Sequence, residues 1–358
     1  MNSSSTPLKF PVLVVGFGKI GAIKSEIWKS LGAEVYVYDV SPSANKRIIE
    51  AGYTPFTLLD DTTIKELIVD ISTPAAKHAT ALDWALSTLS VCPRIILLEK
   101  PLVSSEAELA VLLDVLKSNP DVNLQHIFVN ESYYASTALR KVKELVGESG
   151  ESIQGLTVDL SKNRIMDNDN GRFFDYELGA IGIEMPHMIA IAQYFGLDLA
   201  VLAKQNAKLH VDSRREDNQG VTISYHDRGV AVDFSSFLGD FRIDQEGNVT
   251  ENQGVTRMLA VQTHTRLYEV IFDPAPGVPR YHAKVTETST VTSKKQAYLF
   301  ADNHLREHLA SFVPYHESDK MDHISLQNSI KICELLFTLR KNALIIEDIP
   351  AVLEPVLT

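Results

Sequence analysis

Cysteine is nearly absent: among 358 residues only Cys92 and Cys333 carry thiols, and their spacing is not that of metal ligands. Two thiols cannot build a disulfide framework, which excludes the small stapled scaffolds of oxidising compartments and fits a reducing one. Long hydrophobic runs are missing too, since no stretch approaches the roughly 18 apolar residues of a membrane span. Behind a polar, Ser-rich start, the run Phe10 to Val15 is short. It lacks the basic start, longer apolar stretch and small-residue cleavage site of a secretory signal. A cytoplasmic location with no membrane partner is therefore expected. The third absence is a basic excess: 34 Lys and Arg face 46 Asp and Glu, a net charge of −12. Diffuse acidity repels phosphate backbones, and no concentrated basic patch offsets it, so nucleic acid is not an expected partner. Repeats and low-complexity segments are lacking as well. What remains is 45% hydrophobic and 22% charged residues, enough to bury a core in about two domains.

The first half alternates short apolar runs with helical patterns. Val12 to Val15 is β-branched and bounded by glycine, and reads as a buried parallel strand. A helix over about Ala22 to Leu31 follows, then a strand over Val35 to Tyr38 closed by Asp39. Further strands are predicted around Leu67 to Ile71, Ile95 to Leu98 and Ile127 to Val129. Helices are predicted over about Ala75 to Leu89 and Ser105 to Lys117. Strands separated by helices imply right-handed crossovers and a parallel sheet covered on both faces. The expected first domain, residues 1–130, is a doubly wound α/β Rossmann domain.

Between the first strand and helix stand Gly16-Phe17-Gly18-Lys19-Ile20-Gly21. In that setting the first glycine permits the tight turn, the second lets backbone approach a pyrophosphate, and the third allows close helix–strand packing. The helix N-terminus offers unpaired N–H groups to the phosphates. Asp39, 23 residues after Gly16, ends the second strand. A carboxylate there accepts bonds from a ribose 2′-hydroxyl and repels a 2′-phosphate, which favours NAD over NADP.

From about Gly155 alternating stretches replace the helices. Strands are predicted over Leu156 to Leu160, Leu202 to Val211, Val221 to Tyr225, Val230 to Phe234, Leu259 to His264 and Tyr268 to Phe272. His226-Asp227-Arg228-Gly229 reads as a hairpin connection. The expected second domain, residues 131–358, is α+β with a large, mainly antiparallel open sheet. One helix, about Gly182 to Phe195, interrupts it. A C-terminal helix over about His323 to Arg340 is apolar at core spacing and free to pack back on the first domain.

Three groups of residues could carry chemistry. Glu99-Lys100-Pro101 follows a buried parallel strand, on the edge where open α/β sheets bind ligands. Partial burial would tune Lys100 for proton transfer while Glu99 opposes that shift. A plain salt bridge at the strand end explains the pair equally well. Pro101 is a candidate for a cis peptide. Ser72-Thr73-Pro74 ends another strand and suits a wall beside a nicotinamide or ribose. His78, four residues after Pro74, is on general grounds more often packed or solvated than catalytic. Glu184 and His187 share one helical face at i, i+3 spacing. A carboxylate beside an imidazole suits a general base, although a capping Glu and a packed core His give the simpler account from spacing alone. The other histidines lack metal-like clustering, and no metal is expected.

Taken in order, the glycine motif, Ser72-Thr73-Pro74 with His78, and Glu99-Lys100-Pro101-Leu102 resemble the glucose–fructose oxidoreductase/inositol dehydrogenase (Gfo/Idh/MocA) family over about the first 130 residues. The Glu-Lys-Pro element is the most specific mark. The resemblance implies an NAD(P)-dependent oxidoreductase acting on sugars, cyclitols or their derivatives. It also implies that Lys100 touches both the nicotinamide ribose and the substrate hydroxyl, and that His187 accepts the proton. The sheet of the second domain would mediate a homodimer or homotetramer. Two positions depart from the pattern. The family often has an Asp four residues before this histidine and a Gly two before it, where this chain has Ile183 and Met185. Glu184 is one place away, a rotation of about 100° on a helix. The usual aromatic-Arg stretch is replaced by Asn130-Glu131-Ser132-Tyr133, whose Asn130 and Tyr133 become candidate substrate contacts.

The leading expectation is thus an NAD-dependent dehydrogenase or reductase of a secondary alcohol or its ketone on a sugar, cyclitol or aminosugar. Lys100, His187 and Glu184 are its candidate catalytic residues. Ile183 motivates a rival: a non-catalytic NAD-binding regulator or scaffold. A further alternative is an NAD-retaining hydrolase or lyase of the same fold.

Overall fold

A computed structural model describes residues 10–171, 174–212, 214–243, 247–252, 254–274, 277–315 and 321–347. The polar start read above, residues 1–9, lies outside the described residues. Two compact units are present, one made of residues 1–131 and 308–333, the other of residues 132–307 and 334–358.

The first unit is built on six parallel strands: β1 (Pro11–Val15), β2 (Glu34–Tyr38), β3 (Thr54–Pro55), β4 (Ile68–Ile71), β5 (Ile95–Glu99) and β6 (Ile127–Asn130). Their order is β3-β2-β1-β4-β5-β6, and every pairing is parallel. Because crossover helices cover both faces, the central strands are buried throughout: β1 and β4 have no exposed position. The crossovers are α1 (Lys19–Ser30), α2 (Pro42–Glu50), α3 (Asp61–Lys65), α4 (His78–Thr88) and α5 (Glu106–Ser118). The predicted doubly wound sheet is therefore present, and α1 starts three residues earlier than its periodicity suggests.

Residues 308–333 belong to this unit rather than to the sheet-rich one, so the second half of the chain is not one continuous domain. Phe128 pairs with Ser325 in an isolated bridge and packs its ring against Phe312 and Tyr315.

The second unit contains α6 (Thr137–Ser149), α7 (Ile165–Asp169), α8 (Ala180–Tyr194) and α9 (Leu199–Leu202). Its strands are β7 (Gly155–Lys162), β8 (Lys208–Val211), β9 (Gln219–Asp227), β10 (Val230–Phe237), β11 (Phe241–Ile243), β12 (Val249–Glu251), β13 (Val255–Gln262), β14 (Arg266–Phe272), β15 (His282–Ser289), β16 (Lys295–Ala301) and β17 (Leu344–Ile346). Nine of them form one sheet, β16-β15-β14-β13-β7-β10-β9-β8-β17. It is antiparallel except at β7–β10 and β8–β17. Alternation sorts the faces: in β14 every second residue is buried, and α6 and α8 cover that side. The β9–β10 hairpin turns at Arg228 and Gly229, both with positive φ, the geometry that two-residue hairpins favour. The run read as one strand over Leu202 to Val211 divides instead: α9 ends at Leu202 and β8 begins only at Lys208. The Asp198 side chain, accepting from the Ala200 N–H, caps α9 and diverts the chain into a helical turn. Two helices complete the fold, α10 (His304–Ala310) and α11 (Leu326–Lys341). No described helix is long and apolar enough to cross a membrane.

Candidate active site

In the first unit the glycine motif makes the tight turn and the close helix–strand contact that its spacing predicts. Gly16 has φ near 97° and its N–H donates to the Tyr38 carbonyl at 2.7 Å. A Cβ on Gly21 would lie 1.9 Å from the Gly16 carbonyl oxygen, so only glycine lets α1 pack so closely. A Cβ on Gly18 would meet nothing within 4 Å, which leaves that side of the turn open to a ligand. Gly18 also caps α1 without a side-chain bond, and the first turn of α1 carries no acid. Such an N-terminus favours an anion.

Asp39 locks this turn. Its carboxylate accepts from the Phe17 N–H at 2.6 Å and the Ser41 N–H at 2.8 Å. Each oxygen retains a lone pair for a further donor.

The carboxyl ends of β4, β5 and β6 bring the other expected residues together. Thr73 Cγ2 packs where a Gly16 side chain would point, and the Lys100–Pro101 peptide is cis. Lys100 is half-buried at the end of β5. His78 is fully buried, with Nδ1 2.8 Å from the Leu102 carbonyl and Nε2 2.9 Å from the Thr73 carbonyl. Burial pushes its pKa down, and the two carbonyls pull it back only in part. His78 thus clamps the Thr73 and Leu102 loops together, with both ring nitrogens facing backbone carbonyls.

Beneath these loops lies a buried ion network that sequence reading missed. Lys24 of α1 is fully buried, 2.7 Å from Asp70 Oδ1, and also pairs with Glu99 Oε1. Trp28 donates to Asp70 Oδ2 at 2.8 Å. Ser72 donates to Asp70 Oδ1 at 3.3 Å. The Asn130 amide donates to Asp70 and to Glu99, each at 3.3 Å. Burial alone would lower the Lys24 pKa, but the two carboxylates outweigh it and hold the ammonium charged. Glu99 thus has Oε1 engaged as an anchor, and the Asn130 amide is turned to the same network. A signal existed: Gly21, Lys24, Ser25 and Trp28 recur at helical spacing on the buried face of α1. Asp70, moreover, interrupts the otherwise apolar Ile68-Val69-Asp70-Ile71. Thr73 Oγ1 and Asn130 Oδ1 are buried at this edge with no hydrogen-bond partner among the described residues.

In the second unit α8 is buried on nearly all sides. It carries Glu184 and His187, each less than a tenth exposed. Gly179 starts α8 in a conformation with φ 58°, where a Cβ would lie 2.1 Å from Gln219 Oε1. Tyr133, fully buried, packs its ring 5.0 Å from that of His187 and 4.7 Å from that of His304. Arg257 of β13 donates from Nη1 to the Tyr133 hydroxyl at 3.0 Å, and its Nη2 lies 3.9 Å from Glu184 Oε1. The Tyr133 oxygen acts most strongly on the guanidinium; together with Glu184 it outweighs burial and pushes the Arg257 pKa up. Glu184, His187 and Tyr133 are thus brought into one cluster. Arg257 and His304 are members that sequence reading missed. Only the alternation of β13, with Leu259 and Val261 turned to the covered face, marks Arg257 as inward-facing. Ile183, at the position of the family's Asp, supplies no acid.

No protein-family model and no curated protein sequence matches the chain. Solved structures do match over nearly its full length. One is a 3-ketoreductase from Actinomadura kijaniata, solved with NADP and TDP-benzene, with a TM-score of 0.68 and 15% identity; the match covers 95% of this chain and 99% of that one. A UDP-N-acetylglucosamine 3-dehydrogenase from Acidithiobacillus ferrooxidans has a TM-score of 0.63 at 12% identity, over 94% and 98% of the two chains. Biliverdin reductase from Synechocystis sp. PCC 6803, solved with biliverdin and NADP+, has a TM-score of 0.64 at 11% identity, over 93% and 98%. At these identities the shared property is the fold, and it is the fold that the Gfo/Idh/MocA resemblance implies.

Proposed function

We propose that this protein is a nicotinamide-dependent oxidoreductase that interconverts a secondary alcohol and its ketone on a sugar, cyclitol or aminosugar. The observation that carries the reading is the α1 N-terminus: an open Gly18, a tight Gly16–Gly21 contact and no first-turn acid. The buried, unpartnered Thr73 Oγ1 and Asn130 Oδ1 at the same sheet edge fit a polar ligand. When bound, the nicotinamide supplies the hydride acceptor or donor.

The chain's own residues handle position and the proton. Gly16 to Gly21 hold the pyrophosphate, Asp39 accepts from the adenosine ribose, and the Ser72-Thr73-Pro74 loop walls the nicotinamide side. Lys100 orients the reacting hydroxyl, and His187 takes its proton on oxidation and returns it on reduction. Glu184 and Arg257 position His187 through Tyr133. The negative Asp39 favours NAD over NADP, a choice that the NADP-bound fold neighbours leave to experiment. The uncovered face of the large sheet supports a homodimer or homotetramer, with Met258, Ile271, Lys284 and Leu299 in one cross-strand row. No disulfide joins Cys92 and Cys333, which fits the cytoplasmic setting proposed here.

Calorimetric titration with NAD and NADP, followed by a screen of polyols and aminosugars for reduced nicotinamide, tests the reading. Binding of one dinucleotide with turnover of a polyol is expected. Failure to bind either dinucleotide would overturn it.

A further inference from the structure

The first unit has a cavity at the amino end of its sheet, opposite the Lys100 edge. It encloses about 360 Å³ where β4, β5 and β6 begin, lined among others by Lys65, Cys92, Arg94, Asp121, His126 and Tyr315. A five-residue strand separates this edge from Lys100, about 16 Å at strand rise. Parallel sheets take their dinucleotides at the carboxyl edge, so this cavity is a separate site, and what it binds is independent of the oxidoreductase reading.

Its walls are cationic on one side. Arg94 donates from Nη2 to the carbonyls of Phe312, Val313 and Tyr315 at 3.2, 3.1 and 2.9 Å. Those bonds fix the guanidinium plane while Nη1 and Nε form no hydrogen bond. Neither nitrogen is among the sealed, unpartnered buried atoms of the described residues, so both stay reachable. The exposed Lys65 ends α3, and His126 precedes β6. A guanidinium held in place, a lysine ammonium and an imidazole suit a dianion better than a neutral molecule. Asp121 and Asn123 on the rim accept hydroxyl protons instead. The volume falls in the range of small-metabolite pockets.

We propose that this cavity binds a small phosphorylated sugar or polyol, its phosphate between Lys65 and Arg94 and its hydroxyls toward Asp121. Cys92 is a built-in reporter: it is exposed on the cavity wall, whereas Cys333 is buried. Partial desolvation and the Asp121 carboxylate push the Cys92 thiol pKa up, so it alkylates slowly and measurably.

The test follows alkylation of the full-length protein by neutral iodoacetamide, read by intact mass, with glucose 6-phosphate, inorganic phosphate or glucose present. Glucose 6-phosphate should slow Cys92 alkylation about fivefold or more at saturation. Phosphate should do so only at higher concentration, and glucose should not. Lys65→Gln, on an exposed position, should abolish protection without affecting folding, and Arg94→Gln, which also gives up its bonds to the Phe312, Val313 and Tyr315 carbonyls, should abolish it too. Equal protection by glucose, protection that survives Lys65→Gln, no protection by any probe, or competition by NAD or NADP would each overturn the proposal.

Discussion

The two units build their candidate chemistry in opposite ways. In the first, the candidate site residues sit on short contiguous motifs at successive strand ends, and a buried ion network supports them from below. In the second, Tyr133, Glu184 with His187, Arg257 and His304 come from four distant stretches that only the folded sheet brings together. A motif-built edge transfers between proteins as short strings, so it remains legible when overall identity is low. An assembled cluster can exchange its members one at a time, so its chemistry can persist while its pattern dissolves.

The largest expected effect tests whether both halves serve one reaction. Lys100→Met and His187→Ala should each lower kcat by about 10²- to 10⁴-fold, the usual worth of a proton-transfer group, while dinucleotide still binds by calorimetry. Unchanged turnover in either variant would remove that residue from the mechanism. Next comes the support beneath the first unit. Lys24→Met leaves Asp70 and Glu99 as buried carboxylates without their shared cation. Breaking such a network costs about 3 to 5 kcal/mol, readable as a lower urea midpoint. A loss below about 1 kcal/mol would mean that the network is not a structural anchor.

Legibility followed the same division. The parallel sheet, the glycine turn, the Lys100 loop and the Arg228-Gly229 hairpin were readable because each rests on local spacing. Lys24 was not read as buried, because a lone lysine on a helix is ordinarily solvated; only its match to Asp70, 46 residues away, explains it. The same limit hid Arg257, since alternation shows that it points inward but not that Tyr133 waits there. His78 shows the converse. Its position near the cofactor loops was readable, but its two backbone partners were not.

Cofactor choice sharpens the first half of the comparison. Asp39→Ser should shift the NAD-to-NADP affinity ratio toward NADP by about 10- to 100-fold, the loss of a charged acceptor and a local repulsion. A wild type that already prefers NADP would sink the role given to Asp39. The second half is sharpened by a double-mutant cycle. If Arg257 acts through Tyr133, then Arg257→Gln and Tyr133→Phe should be non-additive in kcat by about 1 to 2 kcal/mol, with KM for the dinucleotide unchanged. Strict additivity would separate the two residues.

A last effect concerns buried histidines, which the two units treat differently. His78 faces two backbone carbonyls. His210 of β8 has only Thr222 Oγ1, 3.1 Å from Nε2, and its buried Nδ1 has no partner among the described residues. Burial, with Lys208 adding, pushes the His210 pKa from 6.5 down to about 4. The unfolded chain therefore binds a proton near pH 6.5 that the folded chain refuses until about pH 4. Stability is fully present above that window and falls as pH drops through it, by about 1 to 3 kcal/mol. His210→Gln should flatten this part of the acid limb in urea unfolding at successive pH values, leaving the share from His78. An unchanged slope in the variant would mean that His210 accepts its proton in the folded state as readily as in the unfolded one.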